Sequence, residues 1–281
     1  MDRSPLPCPD SPGGPQGLPF EPPRIEPLRI ELPQIERFRL DADGERLAAL
    51  ALPPAGPDDT PGGGAGAGSG LTAVALHGAG DSDSALLLPL LGDLADHRCR
   101  VLALDFSGHG ASSGRLAELS LERRLRQAAA LIDRHAGDGG LVLVGFSMSG
   151  QTVADLTARY GSRVRALGLC APAVYAREAW PVRFGAGFTG IIRRPGGWRD
   201  SAALPALRAF RGRSVLAVPG HDEVIPPEVT AAVGEALAAR SDHTRLVLPE
   251  AVHRLGRWFG EHPAQRRRFA AVLLGAAAHP A

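Results

Sequence analysis

"LVLVGFSMSGQTV", residues 141–153, is the stretch on which the reading of the fold turns. An apolar run of strand-forming residues, 141–146, meets Ser147 and passes into a segment where Val153, Leu156 and Tyr160 recur at helical spacing. A strand that turns this sharply into a helix brings the two backbones nearly into contact, which demands small residues such as Gly145 and Gly150. The turn pushes the serine hydroxyl out at the carboxyl end of the sheet, toward the positive end of the next helix. The match to G-x-S-x-G is imperfect, because Ser149 stands at the second glycine position; serine is small enough to serve. In a chain with 35 glycines the stretch by itself reads equally well as a glycine-rich bend.

Working outward, short apolar runs alternate with helical patterns. Strands are expected at 71–77, 100–106, 141–146, 164–170, 214–220 and 244–250. Helices fall between them. One has Leu121, Leu125, Ala129 and Ile132 on a face behind the N-cap Ser120; a last one carries Phe269, Val272, Leu273 and Ala276. Such alternation predicts an α/β fold with a mostly parallel sheet covered on both faces. Ahead of it, "IERFRL", "DADGE" and "RLAALAL" read as a β-hairpin with an Asp-Gly turn, an antiparallel edge.

Residues 1–33 hold ten of the 25 prolines and read as a disordered tail, leaving 34–281 as the folded domain. Residues 53–70 read as a flexible loop. Residues 171–213 are too long for an ordinary connection and carry Tyr175, Trp180, Phe184, Phe188 and Trp198; they read as a small cap over a pocket, or as a surface insertion with its own mini-core.

Composition narrows the function. The 31 basic and 30 acidic residues leave a net charge of +1, with every basic residue an arginine, so nothing pulls toward nucleic acid or an acidic membrane. Cys8, Cys99 and Cys170 suggest neither a disulfide framework nor a zinc site. The start has no signal-peptide pattern, and no apolar run approaches the ~20 residues of a membrane span. A cytoplasmic location is expected.

The chemistry-bearing residues follow predicted strands. After the first lies "HGAGDSD", 77–83, whose backbone can aim an N–H at a developing oxyanion. Ala79 and Met148, the residue after the serine, are the candidate donors, and His77 is read as a loop residue rather than a base. "DFSGHGASSG", 105–114, lacks the lysine of a phosphate loop. In "VPGHDEVIPPE", 218–228, Asp222 follows a strand where a carboxylate can orient an imidazole, with Glu223 as its rival. His253 follows the last strand; His243 lies at that strand's far end. The order is Ser147, Asp222, His253, each at the carboxyl end of a strand, where open α/β sheets build their sites.

"HGAG", "DFSGHGAS", "GFSMSG", "GHDEVIP" and "AVH" together resemble the successive landmarks of the α/β-hydrolase superfamily. The likeness is nearest its serine-hydrolase branch of small esterases, thioesterases and S33-like peptidases, and spans about residues 35–278. It implies a three-layer sandwich whose eight-stranded, mostly parallel sheet has its second strand antiparallel, with the insertion after strand six as the cap. Ser149 and the short "GHD" depart from the pattern, and the second departure bears on Asp222 against Glu223. The expected function is cleavage of an ester or thioester through a Ser147–His253–Asp222 triad, with a small-molecule acyl substrate and no cofactor, metal, nucleic acid or membrane. Other uses of this scaffold are cofactor-free lyase or perhydrolase chemistry and non-catalytic ligand binding. Arg193, Arg194 and Arg199 could meet an anionic acyl carrier, or form a solvated face.

Overall fold

Alternating burial along the strands builds two cores, one on each side of a single sheet. The computed structural model describes residues 35–55 and 70–275, all within one unit, Leu32–Ala281. The proline-rich segment, Cys8, most of the 53–70 loop and Ala276 lie outside the described residues.

The hairpin forms as expected: β1 (Glu36–Ala42) and β2 (Glu45–Leu52) flank Asp43 and Gly44, at φ 55° and 76°. Two successive positive φ values suit the right-handed twist of a two-residue hairpin. The sheet continues with β3 (Leu71–Leu76), β4 (Arg100–Leu104), β5 (Gly140–Phe146), β6 (Val164–Cys170), β7 (Arg213–His221) and β8 (Asp242–Val252). Its order is β1-β2-β4-β3-β5-β6-β7-β8. β2 is antiparallel to both neighbours, and the pairs from β4 to β8 are parallel. β4 ends two residues earlier than the sequence suggested, because the Phe106 N–H leaves the ladder to donate to His77 Nε2.

Among the described residues six α-helices lie between strands, α1 (Leu88–Asp96), α2 (Leu121–His135), α3 (Ser149–Tyr160), α4 (Thr189–Ile192), α5 (Ala203–Ala209) and α6 (Pro227–Ala238), and two follow β8, α7 (Leu255–Glu261) and α8 (Pro263–Leu274). Val74, Leu76, Leu102, Leu104, Leu141 and Leu143 face one core with α2, α3, α5 and α6. Their neighbours Ala73, Ala75, Val101, Ala103, Val142 and Val144 face the other, with α1, α7 and α8. This period-two split is what a sheet buried on both faces requires. Ser120 Oγ accepts from the Arg123 N–H and caps α2, an interaction worth about 1 kcal/mol. Pro227 starts α6, where its missing N–H has no partner to lose.

Part of the 171–213 stretch belongs to the main core, since Ala203 and Leu207 of α5 pack there. The remainder forms a small third cluster in which Ala179 and Phe188 pack on Leu121 and Met148. Phe188 packs against the rings of Phe184 and Tyr175 in tilted contacts, with ring centroids 4.5 and 5.6 Å away. Arg194 pairs with Glu178 and Arg199 lies over the Trp198 ring, so these two arginines serve the segment itself. Among the described residues no helix is long and apolar enough to cross a membrane.

Candidate active site

The turn after β5 holds Ser147 at φ +50°, a left-handed conformation that an L-residue adopts at a cost of about 1–2 kcal/mol. The surroundings enforce it. Ser147 N–H donates to Cys170 O at 2.9 Å, and Ser147 O accepts from the N–H groups of Gly150 and Ala173. A Cβ on Gly145 would lie 2.7 Å from Ser149 O, and one on Gly150 would lie 2.6 Å from Pro172 Cβ. Both glycines are therefore demanded by close approach of backbone and neighbours.

Three loop residues meet above the sheet. His253 directly follows β8, and its Nε2 lies 2.9 Å from Ser147 Oγ. Its Nδ1 lies 3.0 Å from Asp222 Oδ2. Asp222 directly follows β7, and its Oδ1 accepts from the N–H groups of Val224 and Ile225, each at 2.9 Å. An ionised carboxylate only accepts, so His253 Nδ1–H donates to it and Nε2 is left to accept from the Ser147 hydroxyl. The side chains of His253 and Asp222 are 16% and 10% exposed, dry enough to strengthen these bonds yet open to a small molecule. Glu223, the rival carboxylate, is exposed and does not meet His253. His243 bonds Ser214 Oγ at the amino end of β8.

The loop after β3 lies against the nucleophile turn. A Cβ on Gly78 would come within 3.3 Å of Ser147 Cβ, a tight contact that glycine spares where the chain passes the serine. The backbone N–H groups of Ala79 and Met148 have no hydrogen-bond acceptor among the described residues. Both residues line a cleft of ≈ 540 Å³ with Leu116, Phe184, Phe188 and Ile192, and among the described residues no charged side chain borders it. His77 is fully buried, and burial holds its pKa well below the ordinary value, so the ring is a neutral brace.

Sequence reading missed the acid that holds this loop. Asp105 accepts from the N–H groups of Ser84 and Ala111, tying the two loops together. Its place after a strand was visible, but an aspartate before glycines signals a turn as readily as a brace. Asp155 was missed as well: its oxygens accept from Trp180 Nε1 and Gln151 Nε2, and burial pushes its pKa up to about 6. Among the described residues no cluster of His, Cys, Asp and Glu is arranged to hold a metal ion.

A family model described as alpha/beta hydrolase fold matches residues 74–215. No curated protein matches the chain. Among solved structures, the thioesterase domain from the curacin biosynthetic pathway is similar at TM-score 0.62 and 16% identity, over 86% of this chain and 99% of that one. Est1E from Butyrivibrio proteoclasticus, solved with ferulic acid bound, is similar at 0.62 and 16%, over 85% and 99%. The haloalkane dehalogenase DatA from Agrobacterium tumefaciens C58 is similar at 0.63 and 15%, over 86% and 96%. At such identities the likeness is one of fold, and these three are named for different chemistries.

Proposed function

The chain belongs to the α/β-hydrolase family, and from that premise we propose that it is a serine hydrolase cleaving a small ester or thioester through an acyl-enzyme intermediate. The observation that carries this reading is the unbroken hydrogen-bonded chain from Ser147 Oγ through His253 to Asp222. The fold alone does not select the chemistry, but this arrangement is what activates a serine hydroxyl.

In the proposed reaction, Ser147 Oγ attacks the substrate carbonyl carbon as its proton passes to His253 Nε2. The carbonyl oxygen takes the electron pair, and the N–H groups of Ala79 and Met148 hold the oxyanion. Collapse of the tetrahedral adduct breaks the bond to the leaving group, which takes the proton from His253. Water, deprotonated by His253, then attacks the acyl group and releases Ser147. Asp222 keeps the imidazole in its working tautomer and offsets the charge it gains. The uncharged cleft beside Ala79 and Met148 supports a neutral, apolar acyl group. Esters and thioesters are favoured over amides because their leaving groups depend less on protonation.

The test is labelling of the purified protein with a fluorophosphonate, followed by mass spectrometry. An adduct on Ser147, lost in Ser147→Ala and strongly slowed in His253→Ala, is expected. Folded wild-type protein without that adduct would refute the assignment. A panel of p-nitrophenyl esters and acyl thioesters then ranks substrates, and Ser147→Ala should lower kcat by at least about 10³.

A further inference from the structure

Ser149, the departure from the glycine pattern, has a partner that the pattern does not predict. Its hydroxyl donates to His77 O at 2.6 Å and accepts from Arg124 Nη2 at 2.7 Å. Arg124 lies on α2 and is completely buried. The same Nη2 donates to His77 O at 2.7 Å, and Nη1 reaches toward Gly78 O at 3.5 Å. The guanidinium carbon sits 3.7 Å from the centre of the Phe106 ring. Among the described residues its hydrogen-bond partners include no carboxylate, and its Nε has no acceptor. Burial pulls its pKa down to about 9, which leaves it charged at neutral pH. A buried charge without a counter-ion is costly, and this one is met by neutral acceptors alone.

Its acceptors show the use. His77 O and Gly78 O are consecutive carbonyls of the loop that faces Ser147. The His77 ring reinforces them: Nε2 accepts from the Phe106 N–H at 3.1 Å, so Nδ1 carries the proton and donates to Gly78 O at 2.7 Å. The described residues contain no cis peptide bond. In a planar trans peptide the C=O and N–H point in opposite directions. Holding Gly78 O inward therefore turns the Ala79 N–H outward, toward the cleft that Ala79 and Met148 share. Donors on the carbonyl also polarise the peptide and strengthen its N–H as a donor.

We propose that Arg124 and Ser149 are a buried pair of positioning residues that fix the Gly78–Ala79 peptide, so that the Ala79 N–H meets the developing oxyanion. This rests on the serine-hydrolase reading above. Neither side chain reaches substrate. Arg124 acts through the His77 and Gly78 carbonyls and Ser149 through the His77 carbonyl, so the serine at position 149 adds the nucleophile turn to the hold that α2 has on the loop.

The experiment compares wild type with Ser149→Ala, Arg124→Met and Arg124→Lys. Fluorophosphonate titration counts the competent sites in each. Hydrolysis of p-nitrophenyl butyrate gives kcat and KM per titrated site. An alkyl trifluoromethyl ketone, to which Ser147 Oγ adds while its proton passes to His253, gives an inhibition constant for the bound oxyanion. Losing an oxyanion donor outright costs about 10²–10³ in kcat, so misaiming one should cost on the order of tenfold. Ser149→Ala should lower per-site kcat by that factor and weaken the ketone in parallel, with KM within about twofold. Arg124→Lys should fall between wild type and Arg124→Met, and the acid limb of the pH profile should stay in place. Should Arg124→Met fail to fold, Ser149→Ala, which keeps the guanidinium, decides the matter. Folded variants with wild-type per-site kcat and ketone affinity, or losses confined to the titrated fraction, would overturn the pair's role alone. A wild type that neither labels nor binds the ketone would overturn the serine-hydrolase reading and this proposal with it.

Discussion

Asp222 and Glu223 are adjacent carboxylates with opposite surroundings. Asp222 is held by two backbone N–H groups and faces His253, while Glu223 points into solvent. Under the proposed mechanism only the first orients the imidazole. Asp222→Asn keeps the shape but presents an amide that cannot hold the same tautomer, and kcat should fall by about 10³–10⁴. Glu223→Gln should leave kcat within about twofold, as expected of an exposed side chain away from such features. Steady-state kinetics on one p-nitrophenyl ester checks both, and equal losses in the two variants would contradict the assignment. Gly150 belongs to the same scale. With Pro172 already against it, Gly150→Ala should destabilise by about 1–3 kcal/mol in urea unfolding, because the helix start has no room to shift.

Among the elements, the contact between α3 and the segment after β6 carries a titration. Asp155 on α3 accepts from the Trp180 indole, and burial, outweighing that hydrogen bond, raises its pKa from 3.8 to about 6. Below pH 3.8 the group is protonated in both folded and unfolded chains; between 3.8 and 6 only the folded chain holds the proton. Its contribution therefore favours the fold at acid pH and is lost as pH rises through about 6, an effect of roughly 2–3 kcal/mol. Urea unfolding at pH 4 and pH 7 should show wild type losing more stability across that interval than Asp155→Asn does. Parallel behaviour of the two proteins would remove Asp155 as the cause.

For the molecule as a whole, the sheet separates two cores, and the site sits at one end of it. Stability and chemistry are therefore separable where a core residue is remote from the loops. Leu131, fully buried on the last turns of α2, is such a residue. Leu131→Ala should cost about 2–5 kcal/mol and lower Tm by roughly 10 °C. Fluorophosphonate labelling of the folded variant at 20 °C should match wild type. Slower labelling would show that the α2 core and the site are coupled beyond the Arg124 contact. A net charge of only +1 gives the molecule little overall attraction for an ionic substrate.

The amino-acid sequence by itself determined the alternation of strands and helices, the hairpin at the edge, the small residues of the nucleophile turn, and the position of Ser147, Asp222 and His253 after β5, β7 and β8. Those properties are local or periodic: a run of strand formers, a turn that demands small residues, an apolar face every three or four residues. Chain order then places each candidate at the same end of a parallel sheet. The choice between Asp222 and Glu223 as the neighbour of His253 was decided by tertiary structure, because adjacent residues differ only in the direction each side chain takes. The same holds for Arg124, which sequence periodicity places on a helix face like any other residue. It meets His77 across 47 residues and Ser149 across 25, and no local pattern records that meeting. A buried cation is intelligible only once the carbonyls that receive it have been brought together by the fold.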